Sequence, residues 1–247
     1  MSNDEPPETI STPLGEKKHS DRVYRLVIVQ HPDRVRSAGF GQKDRRPVDP
    51  PPILQVSRQV SENHWEPVVD ATDILFMVVQ CDLYSEDGMT SCSLVYNPSR
   101  LPEALHAAGS SSSSGYSSVM TVRPLHEPTP LRNLTGSSIA NACQLLDTDN
   151  KPGVFFIFPD ISVRTEGRFT LNFALIDLSD GEPSTMSTRI KCQVRSNPFT
   201  VYSPKHFPGM RESTPLSIAF AKQGIKIAVR KGSRLSRNVI EHYSASS

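Results

Sequence analysis

The stretch Arg168-Phe169-Thr170-Leu171-Asn172-Phe173-Ala174-Leu175-Ile176 alternates between large apolar side chains and mostly polar ones. The large apolar residues fall at every second position, namely Phe169, Leu171, Phe173 and Leu175. The positions between them include Arg168, Thr170 and Asn172. Because successive side chains of a β-strand point to opposite sides of the sheet, this spacing puts the four apolar side chains on one face. The stretch predicts a strand with one face against a hydrophobic core.

Other apolar runs of strand length lie on both sides of this stretch, with turn-forming residues between them. They occupy residues 23–28, 53–60, 74–84, 154–163 and 190–194. In the last run Ile190, Cys192 and Val194 alternate with mostly charged residues, as in a half-buried antiparallel strand. Many short strands in 247 residues predict an all-β chain with a single β-sandwich or barrel domain. Phenylalanines at strand spacing are more often core than interface, so we predict a core role for Phe155, Phe156, Phe158, Phe169 and Phe173.

One helix is well signalled near the end of the chain. Thr214 is a plausible N-cap, Pro215 suits the first helical position, and Gly224 can end the helix. An apolar stripe between them consists of Leu216, Ala219 and Phe220. We predict a short strand over residues 225–229 after this helix. Tyr202 and Phe207, in a segment broken by prolines, are predicted to pack against a partner or against this helix.

Three polar segments are predicted to lie outside the core. Residues 1–21 have no apolar periodicity and are expected to form a disordered tail. Residues 103–118, with Ser110 to Ser114 unbroken, are typical of a flexible insertion in a loop. Residues 232–247 form a short basic and polar tail. The domain is therefore expected to span residues 22–231.

Several classes of function are disfavoured by missing motifs. The four cysteines form no CxxC pair, and the sequence has no Walker loop, dinucleotide fingerprint or GxSxG elbow. The run Asp147-Thr148-Asp149-Asn150 resembles a calcium loop, but Lys151 stands at its fifth position, so we interpret it as a turn. No window approaches the ~20 apolar residues that span a bilayer, and the N-terminus lacks a secretory pattern. We expect no enzyme activity, cofactor, metal, small-molecule substrate or membrane, and an intracellular protein.

Two basic segments are candidates for nucleic-acid contact. From Arg22 to Arg46 the chain has seven basic residues against two acidic ones, and Pro47 and Pro50 to Pro52 stiffen the backbone downstream of them. A stiff basic loop can enter a major groove, where arginine reads guanine and lysine meets phosphate. The alternative is a solvated surface loop that keeps the protein soluble.

The second segment has six basic residues and no acidic one, namely Lys222, Lys226, Arg230, Lys231, Arg234 and Arg237. Phosphate contact, nuclear import and simple exposure all stay open for it.

Four ordered blocks resemble the velvet domain of fungal developmental regulators. They are Gly39 to Pro52, Gly153 to Arg164, Asn197 to Met210, and Gln223 to Lys231. The resemblance implies a fold similar to the immunoglobulin-like sandwich of Rel-homology proteins, with no cofactor. It also implies binding to double-stranded DNA, pairing with itself or with other velvet proteins, and control of sporulation and secondary metabolism. Both the spore-viability branch and the B-type branch of the family fit.

The resemblance also implies roles for particular residues. In family members the equivalent of the first basic segment contacts DNA, so Lys43, Arg45 and Arg46 are predicted to bind DNA, with Arg34 and Arg36 as further candidates. We accordingly expect a nuclear protein that can shuttle with the cytoplasm. A second hypothesis is a heterodimerisation scaffold that binds DNA only through a velvet partner. The two hypotheses differ in whether the isolated protein binds a defined duplex.

Overall fold

The computed structural model describes residues 22–41, 45–69, 74–100, 129–181, 184–185 and 187–231. The tail at residues 1–21, the serine-rich segment 103–118 and residues 232–247 lie outside these ranges. Within the described residues the strands are β1 (Tyr24–Gln30), β2 (Arg34–Arg36), β3 (Ile53–Ser61), β4 (His64–Pro67), β5 (Met77–Ser85), β6 (Leu94–Val95), β7 (Leu131–Arg132), β8 (Leu134–Thr135), β9 (Ile139–Asn141), β10 (Cys143–Leu146), β11 (Pro152–Ile157), β12 (Ser162–Val163), β13 (Gly167–Asp177), β14 (Ile190–Arg195) and β15 (Phe199–Tyr202). The helix α1 spans Pro215–Lys222.

The strands form two main sheets and two small ribbons. The first sheet has the order β1-β3-β11-β10, with β4 also paired to β3. The second has the order β2-β15-β13-β5-β9, with β14 also paired to β13. The ribbons are β8-β12 and β6-β7. Strand pairs are antiparallel except β2 with β15, which run parallel.

One hydrophobic core lies between the two main sheets. Leu26, Val56 and Phe156 of the first sheet belong to the same buried cluster as Leu83 and Phe173 of the second. The phenylalanines predicted as core are all buried, and the rings of Phe158 and Phe173 lie 5.2 Å apart between centroids. The prediction of an all-β chain with a minor helix is therefore confirmed.

The strand that dominates the sequence pattern, β13, lies in the middle of the second sheet. Its four predicted core residues are buried, but Thr170 and Ala174 on the other face are buried as well. The hydroxyl of Thr170 donates a hydrogen bond to the carbonyl oxygen of Ser85 at 2.9 Å. A hydrogen-bonded polar side chain can be buried at little cost, which explains why the alternation in the sequence overstates the exposure of the second face.

Three predictions about strands need correction. Ile190 at the start of β14 is 52% exposed rather than buried, because a bulge in the pairing with β13 places it opposite the outward-facing Ile176, out of phase with Cys192. The run 154–163 is two strands, β11 and β12, separated by a turn. Residues 225–229 form no strand, since the Ile227 amide donates to the Ile225 carbonyl at 2.8 Å in a γ-turn.

The helix forms where it was predicted. The Thr214 hydroxyl accepts from the Ser217 amide as N-cap, Pro215 opens α1, and Gly224 follows the helix with a positive φ of 95°. Phe220 is buried against Phe155 with ring centroids 4.8 Å apart, so α1 covers part of the outer face of the first sheet. Ile225 and Ile227 pack against the same cluster, so these two apolar residues are partly buried although the predicted strand does not form.

Candidate nucleic-acid interface

The first basic segment contains a loop, residues 37–48, that we call the basic loop. It leaves β2 and returns to Asp49, and residues 42–44 within it, including Lys43, lie outside the described ranges. Its outgoing limb is held by backbone hydrogen bonds from Ser37 to Tyr202 (2.8 Å), from Ala38 to Val163 (2.8 Å) and from Gly39 to Arg164 (3.0 Å). This limb is therefore fixed to the ends of β15 and β12.

The returning limb is fixed to the same small strand. The Val48 amide donates to the Ile161 carbonyl at 2.8 Å, and the Ser162 hydroxyl donates to the Arg46 carbonyl at 2.7 Å. The Val48 side chain is buried in the core. Because the two described limbs are anchored, their backbone has little entropy left to lose when the loop binds a partner.

Arg164 joins the basic loop to a neighbouring strand. Its Nη1 donates to the Gly39 carbonyl and its Nε to the Arg132 carbonyl, each at 2.9 Å, and the side chain is half-buried. Sequence reasoning did not select this residue. The only signal for it was its place at the end of the block Gly153 to Arg164, where no local pattern distinguishes it from a surface arginine.

The two described residues at the tip side of the loop, Arg45 and Arg46, are exposed. The Arg45 Nη2 lies 2.5 Å from Oδ1 of Asp160, which follows β11. An ion pair that is this exposed contributes only about 0–1 kcal/mol to stability, so it influences the orientation of the guanidinium without fixing it. The loop thus presents two neighbouring arginines at one end of the molecule.

Arg34 and Arg36 occupy a different environment, in the short strand β2. The Arg34 side chain is only 19% exposed, and its Nε lies 2.8 Å from Oδ2 of Asp33. Arg36 is half-buried and lines a cavity of about 380 Å³ together with Phe40 and Arg164. Of the five predicted DNA-binding residues, the four described ones therefore lie in two settings, with exposed arginines in the loop and partly covered arginines at its base.

The second basic segment is divided in the same way. Arg230 is engaged within the chain, because its Nη2 lies 2.5 Å from Oδ1 of Asp49 and its Nε donates to the Arg211 carbonyl at 3.1 Å. The Asp49 carboxylate is 2% exposed and also accepts from the Arg211 amide at 2.6 Å. Lys222, Lys226 and Lys231 are exposed, whereas Arg234 and Arg237 lie outside the described residues.

This ion pair, in which the carboxylate is buried and the guanidinium is 31% exposed, ties the end of the domain to the base of the basic loop. The Ser213 amide donates to the Arg230 carbonyl at 3.1 Å, and the Arg230 amide donates to the Ser213 hydroxyl at 2.9 Å. The chain from Arg211 to Arg230 contains α1, and both ends of this stretch bind the Asp49 carboxylate. Sequence reasoning assigned Asp49 no role, although it lies within the block Gly39 to Pro52.

The comparison with known protein families agrees with the four blocks of resemblance. The family of velvet factors matches residues 24–234. The chain belongs to the velvet family. Velvet relatives with curated descriptions include a velvet complex subunit of Emericella nidulans, which is 32% identical over 91% of this chain and 81% of its own length.

Two further relatives carry names that refer to development. The sexual development regulator umv3 of Mycosarcoma maydis is 34% identical, over 98% of this chain and 53% of its own length. The spore development regulator RYP2 of Ajellomyces capsulatus is 34% identical, over 85% of this chain and 44% of its own length. The chain thus spans about half the length of these two relatives.

Other kinds of site have little support in the described part of this velvet domain. No group of three or more potential metal ligands occurs among the described residues. The four cysteines are free, and burial raises the pKa of each thiol, most strongly for Cys81 in the core. None of the helices in the described ranges has the length and apolar character needed to cross a bilayer. The basic loop is the feature that most resembles a binding site.

Proposed function

We propose that this velvet protein is a sequence-specific regulator of transcription that binds double-stranded DNA as a dimer in the nucleus. The proposed targets are genes of fungal development, sporulation and secondary metabolism. The observation that carries the proposal is the basic loop, in which Arg45 and Arg46 are exposed while both limbs of the loop are fixed to the fold.

The geometry of the loop suits contact with a duplex. A guanidinium can donate two parallel hydrogen bonds to guanine in the major groove, and basic side chains that contact phosphates supply most of the affinity. Anchored limbs hold the backbone of the two arginines in place on the fold, which lowers the entropy lost when they contact a duplex. The exposed ion pair of Arg45 with Asp160 is weak enough to exchange for a nucleic-acid contact.

A second candidate function is a heterodimerisation scaffold that binds DNA only through another velvet protein. The relative from Emericella nidulans is named as a subunit of a velvet complex, which favours an assembly of this kind. The two functions predict different behaviour of the isolated protein, because only the first requires that this chain alone select a DNA sequence.

The deciding experiment is selection of bound sequences from a random duplex pool with the purified full chain. It is run in parallel with the variant Lys43→Ala/Arg45→Ala/Arg46→Ala and with a control, Lys151→Ala/Arg195→Ala, which removes two exposed charges outside the loop. We expect one enriched motif with the native protein and the control, and at least a hundredfold weaker binding of that motif by the loop variant. Failure of the folded native protein to enrich any motif would instead support the scaffold.

A further inference from the structure

The turn that follows β15 contains a serine in a pattern that protein kinases recognise. Ser203 comes directly after the last residue of β15, and Pro204 comes directly after Ser203. Proline-directed serine/threonine kinases select their acceptor hydroxyl by a proline at the next position. The sequence has four such pairs, namely Thr12-Pro13, Thr129-Pro130, Ser203-Pro204 and Thr214-Pro215. The surroundings of each hydroxyl in the fold distinguish these pairs.

Residues 203–206, which we call the Ser203 turn, form a compact projection from the second sheet. The His206 amide donates to the Ser203 carbonyl at 3.2 Å, and a serine followed by a proline is favoured at the first two positions of such a turn. The rings of Tyr202 and Phe207 contact each other across its base, with centroids 6.3 Å apart. The three residues after Ser203 are exposed, so a kinase can reach this side of the turn.

The hydroxyls of Ser203 and Thr214 differ in how far the fold depends on them. The Ser203 hydroxyl lies 2.7 Å from Nδ1 of the exposed His206. The Thr214 hydroxyl donates to Gln30 at 2.5 Å and accepts from the Ser217 amide at 3.1 Å as the N-cap of α1. A phosphate on Thr214 would replace these contacts, whereas a phosphate on Ser203 would replace one contact at the surface.

The pair at Thr129 provides a comparison in the described part of the chain. Thr129 and Pro130 are both exposed, ahead of the short strand β7. Thr12 lies outside the described residues. Ser203 and Thr129 are therefore the two described acceptors that a kinase can reach without opening the fold.

Basic side chains surround the Ser203 turn. Pro204 lines the cavity of about 380 Å³ at the base of the basic loop, together with Arg36 and Arg164. Lys205 follows in the turn and is exposed. Glu166 also lines the cavity, so its described ionisable side chains are two arginines and one carboxylate. A phosphoserine carries a charge of about −1.5 to −2 at pH 7 and three acceptor oxygens, which suits a site with two guanidinium groups.

The Ser203 turn is also linked to the basic loop by hydrogen bonds. Consecutive amides of the outgoing limb donate to opposite sides, from Ser37 to the Tyr202 carbonyl and from Ala38 to the Val163 carbonyl, each at 2.8 Å. The returning limb with Arg46 is bound to β12 on its other side. Three neighbouring chains thus separate β15 from Arg46, which at roughly 5 Å each is about 15 Å. A duplex bound at the loop tip would bring its phosphates close to the turn.

We propose that Ser203 is phosphorylated by a proline-directed kinase and that the phosphate weakens DNA binding by the basic loop. The second part rests on the proposed function. In the transfer, the Ser203 Oγ attacks the γ-phosphorus of ATP, and the bond from that phosphorus to the β,γ-bridging oxygen breaks. ADP leaves, and the hydroxyl proton passes to a carboxylate of the kinase.

The phosphate acts on DNA binding through charge. It pairs with the arginines of the cavity and places negative charge beside the path of the DNA backbone, where it repels the phosphates of the duplex. Salt screens charges beyond about 8 Å at physiological ionic strength, so the loss of affinity is largest at low salt. The unphosphorylated chain is then the form that binds DNA.

The first test treats the purified full chain with ATP and a proline-directed kinase of the mitogen-activated class. Mass spectrometry maps the phosphate, and fluorescence anisotropy at low salt measures the affinity for the selected duplex. Ser203→Ala and the matched control Thr129→Ala are treated in the same way. We expect phosphate on Ser203 and at least tenfold weaker binding after treatment of the native chain and of Thr129→Ala. Treated Ser203→Ala should keep the affinity of the untreated chain.

The second test needs no DNA. Phosphorus NMR follows the pH titration of the phosphate signal that is absent from treated Ser203→Ala, in the folded chain and in a peptide of residues 199–208 phosphorylated at Ser203. The peptide contains Lys205 and His206 but neither arginine of the cavity. We expect the second pKa of the phosphate, usually about 6, to be lower in the folded chain than in the peptide, because Arg36 and Arg164 favour the dianion.

Three results would overturn the inference. Phosphate on Thr129 with none on Ser203 would refute the modification site. Weaker binding that persists in treated Ser203→Ala would assign the effect to another residue. Equal pKa values in the chain and the peptide would refute pairing with the arginines. A native chain that carries phosphate on Ser203 with a lowered pKa, yet binds no duplex before treatment, would retain the modification site and overturn the proposed function instead.

Discussion

The chain has two basic segments, residues 22–46 and 222–237, and the fold uses their described residues in different ways. In the first, Arg45 and Arg46 are exposed on a loop whose limbs are hydrogen-bonded to β12. In the second, Arg230 is directed into the molecule and pairs with the buried Asp49, 181 residues away in sequence. The contrast shows that an arginine is available for a ligand only if no buried carboxylate from elsewhere in the chain engages it.

The strongest test of this contrast is removal of the carboxylate that engages Arg230. We expect Asp49→Ala to lower the free energy of unfolding by about 3 kcal/mol, because it breaks a buried ion pair and leaves the Arg211 amide without its acceptor. Urea unfolding of the full chain measures the change. Asp149→Ala is the matched control, since the side chains of Asp149 and its partner Lys151 are 71% and 75% exposed and the loss of this pair should cost almost nothing. Equal effects of the two substitutions would mean that the Asp49 pair is not a structural tie.

The second test compares two arginines of the first segment. Arg46→Ala should weaken binding of the selected duplex about tenfold and change the free energy of unfolding by less than about 1 kcal/mol, because the residue is exposed. Arg34→Ala should do the reverse, with less than about twofold change in affinity and a loss of about 1 kcal/mol in stability, since its side chain is mostly covered and paired with Asp33. Fluorescence anisotropy and urea unfolding on the same preparations separate the two. An affinity loss in Arg34→Ala as large as that in Arg46→Ala would put both residues in the interface.

Local sequence patterns predicted the elements that depend on neighbouring residues. They failed for segments whose conformation depends on contacts with distant parts of the chain. The alternation in β13 and the cap of α1 at Thr214 are properties of short stretches, and both elements form where the sequence indicates. Residues 225–229 alternate as a strand does, yet no described strand pairs with them, and Ile225 and Ile227 pack against the cluster of Phe220 instead. Periodicity reports which side chains become buried, but it does not report what covers them.

The candidate site shows the same division. The family resemblance identified the basic loop, because the motif around Arg45 and Arg46 is contiguous. The contacts that fix and orient it come from far along the chain: Asp160 is 115 residues from Arg45, and Arg164 is 125 residues from Gly39. No spacing rule connects such residues, so their roles became evident only from the fold.

The third test concerns the anchoring of the basic loop by Arg164. Arg164→Gln removes the guanidinium that bridges the carbonyls of Gly39 and Arg132, without deleting any side chain at the loop tip. We expect roughly fivefold weaker DNA binding and a stability loss of about 2 kcal/mol, because two hydrogen bonds of ordinary net strength are lost. Arg164→Lys should recover only part of the affinity, since an ammonium cannot reach both carbonyls in the same geometry. Full affinity in Arg164→Gln would show that the limbs on β12 hold the loop without this bridge.

The smallest expected effect is a difference in the salt dependence of DNA binding between variants of two exposed lysines in the second segment, Lys231 and Lys222. Lys231 follows Arg230, which lies at the base of the basic loop, whereas Lys222 lies at the far end of α1, about 12 Å along the helix from its start. If DNA reaches beyond the loop, Lys231→Ala should reduce the slope of log affinity against log salt by about 0.9, the value for one lost phosphate contact, and Lys222→Ala should leave it unchanged. Measuring affinity from low to physiological salt detects this difference even where the affinity at one salt changes little. A native slope in both variants would confine DNA contact to the basic loop and leave the second segment with the structural role that Arg230 already has.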